Sequence, residues 1–185
     1  MKYVMFVILG AFVTVVIVYL LMVLFNDSIL RSNLPKPIKL FVQTFVPPQD
    51  LYQVLIKEKF DLSQEKLLVK RDFTHKYPGQ YSFGIFIQNT PNDFYFNKQN
   101  HRINSTIVVN FFVGGKKIKS YVLREEFSPF VGKNGNGLMF NTYDCPKDLP
   151  IDKLITCEVI LIKPDSQFYD SYGPIYFYVK KRSDK

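Results

Sequence analysis

The sequence predicts a mainly β protein, an immunoglobulin-like antiparallel sandwich of about seven strands behind a single N-terminal transmembrane helix. Three observations predict it. An uncharged run of 23 residues extends from Tyr3 to Phe25. Beyond it, short apolar segments alternate with period two between turns rich in Gly, Asn, Pro and Asp. The chain also holds 18 Phe and 12 Tyr, side chains that suit pleated, half-buried surfaces. Trp, the usual inter-sheet core residue of antibody domains, is absent, so the likeness is one of architecture.

The apolar run comes first. At 1.5 Å per residue it covers roughly 34 Å, against a hydrocarbon core of about 30 Å. A secretory signal has a shorter apolar region, about 7–15 residues, and a small-residue cleavage site. Here the run ends in Leu24-Phe25-Asn26-Asp27, with neither an Ala-x-Ala pattern nor a nearby Cys for lipidation. Residues 1–25 therefore read as a retained signal anchor, a single pass through the inner (cytoplasmic) membrane. Within it, Gly10 and Thr14 form a small-xxx-small pair, either a helix contact or an incidental feature. Arg31, Lys36 and Lys39 beyond the span oppose an N-inside orientation. A short head left in the cytoplasm and two late cysteines favour it, which puts the C-terminal domain on the periplasmic or extracytoplasmic side.

Residues 26–39 read as a polar stalk broken by Pro35 and Pro37. Residues 40–185 form the domain. A strand is expected over 40–46, and a short helix over Asp50–Lys59, where Leu51, Val54 and Leu55 have helical spacing. Seven strand segments follow: Lys66–Phe73, Gln80–Gln88, Thr106–Val113, Lys116–Leu123, Leu138–Tyr143, Ile155–Ile162 and Ile175–Lys181. Tyr81, Phe83, Ile85 and Ile87 share one face, as do Ile155, Cys157, Val159 and Leu161. Gly114-Gly115 between the third and fourth segments is a two-residue hairpin signal. Period-two alternation gives each sheet one buried and one wet face, and leaves strand order open.

The formal charge is +8, and every acidic residue lies beyond Phe25. A basic domain tethered at a bilayer attracts anionic lipid, an acidic protein or an anionic polymer, or simply has a solvated surface. No nucleic-acid motif accompanies the charge, so nucleic acid is excluded as a partner.

Motifs that carry chemistry are scarce. Cys145 and Cys157 fit either a disulfide or two thiols, one of them buried as a small hydrophobe. Neither His75 nor His101 stands at zinc-ligand spacing to them. Asp144, Asp148 and Asp152 recur every fourth residue, a pattern open to Ca²⁺ binding or to solvated loop acids diluted by Lys147 and Lys153. Gly132–Gly137 lacks Walker spacing and reads as a loop between strands. Asn104-Ser105-Thr106 matches the N-glycosylation acceptor pattern. No nucleophile elbow or metalloprotease motif occurs, and only a dyad assembled in space from Glu125, Glu126 or the loop acids such as Asp144 and Asp148 is left for catalysis. Catalytic residues, metal ligands, cofactors and a small-molecule substrate are accordingly not expected. Phe94, Tyr95, Phe96, Tyr169 and Tyr172 lie in expected loops, as partner-binding aromatics or as caps on the ends of the core.

Residues 60–182 also resemble a bacterial family of small extracytoplasmic domains of unknown function. The likeness lies in Phe60-Asp61-Leu62-Ser63 before a strand ending Arg71-Asp72-Phe73, Tyr81-x-Phe83 opening the next, and Gly173-Pro174 leading into Tyr176–Arg182. The resemblance implies a β-sandwich behind a lipid or helical anchor, and no catalytic residues. Anchor, stalk and small sandwich together lead to a membrane-tethered, non-catalytic module that binds another envelope protein, one version being an immunity protein against an envelope-acting toxin. The alternative is a structural subunit of a larger membrane assembly.

Overall fold

The computed structural model describes residues 2–64, 68–88, 90, 94, 102–132 and 135–182. The chain divides into two compact units, Met1–Leu51 and Tyr52–Lys185.

The first unit is helical. Helix α1 (Lys2–Leu24) contains Phe6–Leu24, a stretch of mean hydropathy 3.0 that is long and apolar enough to cross a membrane. Thr14 donates its hydroxyl to the Gly10 carbonyl at 2.9 Å, which satisfies that group within the helix. Helices α2 (Asn26–Arg31) and α3 (Lys36–Phe45) stand where a stalk and a strand over 40–46 were expected. The prolines explain the first correction. Pro35 caps α3 and Pro37 lies in its first turn, where a missing N–H breaks no helical bond, and the Ile38 and Lys39 amides both donate to the Pro35 carbonyl. Period explains the second: Ile38, Phe41, Val42 and Phe45 recur at helical spacing, and this outweighs their β-branched and aromatic character.

The second unit is the expected antiparallel sandwich. Its described strands are β1 (Val54–Lys59), β2 (Leu68–Thr74), β3 (Gly79–Ile87), β4 (Arg102–Val113), β5 (Lys116–Glu126), β6 (Ser128–Gly132), β7 (Gly135–Cys145), β8 (Leu154–Lys163) and β9 (Ile175–Lys181). The seven expected segments are β2 to β5 and β7 to β9; the first two residues of the segment expected at 66–73 lie outside the described residues. The additional strands, β1 and β6, are short and lie at sheet margins. The helix expected over Asp50–Lys59 is instead a turn followed by β1. Pairing with β9, with a register shift between Val54 and Ile56, overrides the helical spacing there. The loop expected at Gly132–Gly137 is a hairpin tip, with Gly132 paired to Gly135 and residues 133–134 outside the described set.

One sheet has the order β1-β9-β3-β7-β6 and the other β2-β8-β4-β5. These orders follow from a single winding. The chain runs out through β1, β2, β3 and β4, turns tightly at Gly114-Gly115, and returns pairing β5 on β4, β7 on β3, β8 on β2 and β9 on β1. Successive pairs of this double-stranded ribbon alternate between the sheets, and lateral pairings of β3 with β9 and β4 with β8 close the roll. This is jelly-roll winding, so the immunoglobulin likeness extends to the two packed antiparallel sheets. Both turn glycines have positive φ, 56° and 78°, the left-handed region that a two-residue hairpin requires.

Between the sheets lie Tyr81, Phe83, Ile85 and Ile87 of β3, alternate residues of β4, and Ile155, Cys157, Val159 and Leu161 of β8, all on the faces that their alternation predicts. Tyr81 donates its hydroxyl to the Tyr77 carbonyl at 2.8 Å, a tyrosine-corner arrangement that pins the entry to β3. The outer face of β3 is also covered. Phe86 packs on Phe130 and Tyr178, and the Lys180 ammonium lies 4.4 Å from the Phe130 ring centre. Two glycines let β3 and β7 approach closely. A Cβ on Gly84 would stand 2.1 Å from the Leu138 carbonyl oxygen, and one on Gly137 would stand 2.0 Å from that of Ile85.

His75 is fully buried at the end of β2. Its Nδ1 faces the Pro150 carbonyl at 3.2 Å and its Nε2 the Tyr143 hydroxyl at 2.9 Å. A carbonyl only accepts, so Nδ1 carries the proton, and Tyr143 donates to the Nε2 lone pair. Burial favours the neutral ring and lowers its pKa to about 4, against the opposing pull of the Pro150 carbonyl. As pH falls below the free-histidine value of about 6.5, the unfolded chain takes up a proton that the native ring refuses. Stability from this residue is therefore complete above about pH 6.5 and declines down to about pH 4. Between pH 7.5 and 5 the loss should be about 2 kcal/mol in urea titrations, and His75→Gln should flatten that slope.

Candidate functional site

The site lies where β4, β8 and α4 (Ser166–Tyr172) meet. Strand β4 begins with an irregularity: its pairing with β5 passes directly from Ile103 to Thr106, and its pairing with β8 shifts between Thr106 and Ile107. Ile103 and Ser105 are buried, while Arg102 and Asn104 point outward. The residues between the two registers are thereby released from the ladder.

Asp165 organises this region. One carboxylate oxygen accepts the Phe168 amide at 3.0 Å and caps α4, and the other accepts the Asn104 amide at 2.7 Å. The Asp165 amide donates to the Leu62 carbonyl at 2.8 Å. One residue, through its side chain and its backbone amide, thus ties together the β4 irregularity, the helix start and the turn after Phe60. Lys163 donates to the Asn104 side-chain oxygen at 2.7 Å, which orients that amide.

Two clefts flank Asn104. The larger, about 310 Å³, is lined by Arg102, Asp165, Gln167, Phe168, Ser171 and Tyr172 in addition to Asn104. The smaller, about 180 Å³, has Arg124 and Lys163 beside Asn104 and Thr106. Three cations thus surround an amide-lined opening whose only lining carboxylate among the described residues, Asp165, is held by two backbone amides. Such an opening suits an anionic group.

The sequence-predicted aromatics divide. Phe94 is fully buried, 5.5 Å from the Tyr172 ring in an edge contact, so it closes the core and cannot be a partner-binding surface. Tyr172 is half-buried, meets Phe168 at a tilt with ring centres 4.8 Å apart, and lines the larger cleft. Tyr169 is half-buried and packs against the core. Tyr95 and Phe96 lie outside the described residues. Sequence reasoning missed Arg102, Arg124, Lys163 and Asp165. The available signal was Pro164-Asp165-Ser166, a capping residue ahead of a helix start, within a stretch read as loop.

The other candidates fall elsewhere. No disulfide joins Cys145 and Cys157; both are buried thiols. Cys145 ends β7 in one sheet and Cys157 lies within β8 of the other, and core rings including Tyr143 and Phe111 fill the space between the sheets. Burial pushes the Cys157 thiol up, which suppresses the thiolate. Asp148 is committed to the fold: one oxygen accepts the Asp144 amide at 2.9 Å, and the other accepts Lys119 at the same distance. That amide and the Lys119 ammonium hold its carboxyl below the usual range. Asp152 stands at φ 54° with its amide on the His75 carbonyl. Among the described residues no three His, Cys, Asp or Glu side chains form a group that could hold a metal. The Asn104-Ser105-Thr106 motif lies within β4, not in a loop. His101 and the side chains of Glu125 and Glu126 lie outside the described set.

Two outcomes follow. Asp165→Ala should lower stability by about 1–2 kcal/mol and speed amide exchange in α4 and residues 102–106 ahead of global unfolding. Without reductant, a thiol reagent should titrate both cysteines in denaturant and react negligibly with the native chain.

No protein-family model and no curated protein matches the chain. Among solved structures it is similar to a protein from Sulfurospirillum deleyianum at 11% identity, covering 70% of this chain and 98% of that one, with a TM-score of 0.49. It is also similar to the VP2 subviral particle of infectious bursal disease virus at 8% identity, covering 74% of this chain and 38% of that one, with a TM-score of 0.27.

Proposed function

We propose that this chain is a membrane-tethered, non-catalytic binding module of the cell envelope that engages an acidic segment of another envelope protein at the β4–α4 end of its sandwich. The observation that carries this reading is the pair of clefts around Asn104, where Arg102, Arg124 and Lys163 face outward beside the Tyr172 ring. Charge of one sign around a shallow opening speeds encounter with an oppositely charged partner and fixes its register. An aromatic rim adds apolar contact area. The resemblance of residues 60–182 to small extracytoplasmic domains agrees with this reading.

Affinity capture of the full-length chain from detergent-solubilised membranes tests the reading. A partner in stoichiometric amount is expected, and Arg124→Glu with Lys163→Glu should cut its recovery about tenfold or more at unchanged melting temperature. Equal recovery with the double variant, or no stoichiometric partner, would overturn it.

A further inference from the structure

Helix α3 leaves three large apolar side chains exposed. Ile38, Phe41 and Phe45, preceded by Leu34, form a stripe at i, i+4, i+7 and i+11, and they are 45%, 52%, 57% and 40% exposed respectively. On another side of the same helix Gln43 is buried, its Nε2 without a hydrogen-bond partner. An amphipathic helix on a soluble surface buries its apolar stripe and wets its amides. Here Ile38, Phe41 and Phe45 are exposed while Gln43 is buried beside Val42, and the Phe41 and Phe45 rings meet at a tilt with centres 4.5 Å apart.

The position of α3 within its unit names the medium that would make this arrangement favourable. Asn26, the second residue after α1, donates from its side-chain amide to the carbonyl of Val46, the residue that ends α3, at 2.8 Å. The C-terminal end of α3 is thereby held beside the end of the apolar span. If α1 crosses a bilayer, that end lies at the level where hydrocarbon gives way to headgroups. A ten-residue helix extends about 15 Å from there. Charge agrees: between Asn26 and Pro48 the sequence carries Arg31, Lys36 and Lys39 against the single acid Asp27. Cationic segments next to a span are drawn to anionic lipid.

We propose that α3 is an interfacial helix whose Leu34–Ile38–Phe41–Phe45 stripe inserts into the boundary between acyl chains and headgroups of the bilayer that α1 crosses, with anionic phospholipid as its ligand. Such insertion reaches about 5–10 Å below the headgroups. It makes the attachment two-part, with α1 as the anchor and the α2–α3 hairpin lying on the surface. The proposal rests on α1 as a span, and its test separates the two.

The chain contains no Trp, so one introduced indole reports alone. Full-length Phe41→Trp is reconstituted in phosphatidylcholine–phosphatidylglycerol vesicles containing lipids brominated either near the headgroup or near the bilayer centre. Blue-shifted emission is expected, quenched about twofold or more by the shallow bromines, less by the deep ones and weakly by acrylamide. Removing phosphatidylglycerol should reduce the shallow quenching. Phe12→Trp, within α1, is the control and should be quenched by the deep bromines. If Phe12→Trp responds while Phe41→Trp emits in the red and yields to acrylamide, the stripe faces water and the proposal fails. Blue emission at Phe41→Trp that neither bromine quenches means a protein surface covers it, a second copy or another partner, and also overturns the proposal. Loss of quenching at Phe12→Trp removes the span itself.

Discussion

The β unit depends on one constraint, the pairing of an outgoing limb with a returning limb along the whole ribbon. β1 meets β9, β2 meets β8 and β3 meets β7, so almost every ladder joins residues far apart in sequence. Only the β4–β5 and β6–β7 hairpins are local, and two glycines make the first of these turns possible. Closing such long loops is entropically unfavourable before burial compensates, so the fold requires the terminal strands as much as the central ones. The closest approach, between β3 and β7, admits no side chain at Gly84 or Gly137.

Much of this was legible in the sequence, and the boundary has physical causes. Strands buried on one face announce themselves by alternation, so β8 with Ile155, Cys157, Val159 and Leu161 reads correctly. Marginal strands do not. β1 places Val54, Leu55 and Ile56 in a row across a register shift, and β6 is five residues containing a proline. Alternation also misjudges the outer face of β3, because Phe86 and Tyr178 are buried by each other, by Phe130 and by the Lys180 side chain. Sequence distance hides the ribbon order altogether. In the helical unit, Pro35 and Pro37 carry two meanings, chain breaker and helix starter, and only the hydrogen bonds to the Pro35 carbonyl decide between them.

The candidate site was less legible than the fold for a related reason. Its aromatics were visible as a run from Tyr169 to Tyr172, but its cations come from β4, β5 and β8, which only the ribbon brings together. The Asp165 contact to Asn104 spans 61 residues of sequence. A capping pattern can be read locally, whereas its second ligand cannot.

The net positive charge acquires meaning once its members are placed. Lys70 pairs with Glu158, Arg71 with Glu58 and Lys119 with Asp148, pairs that are partly exposed and contribute little individually. Lys57 and Lys180 lie over aromatic rings on the outer face of the larger sheet, and burial lowers the Lys180 pKa. The buried Lys181 ammonium donates to the Pro78 carbonyl at 2.8 Å. All of these are absorbed by the surfaces that carry them. At the β4–α4 end, Lys163 meets a neutral amide and Arg124 has no ion pair among the described residues. That distinction, more than the total of +8, sets this end of the sandwich apart from the rest of the basic surface.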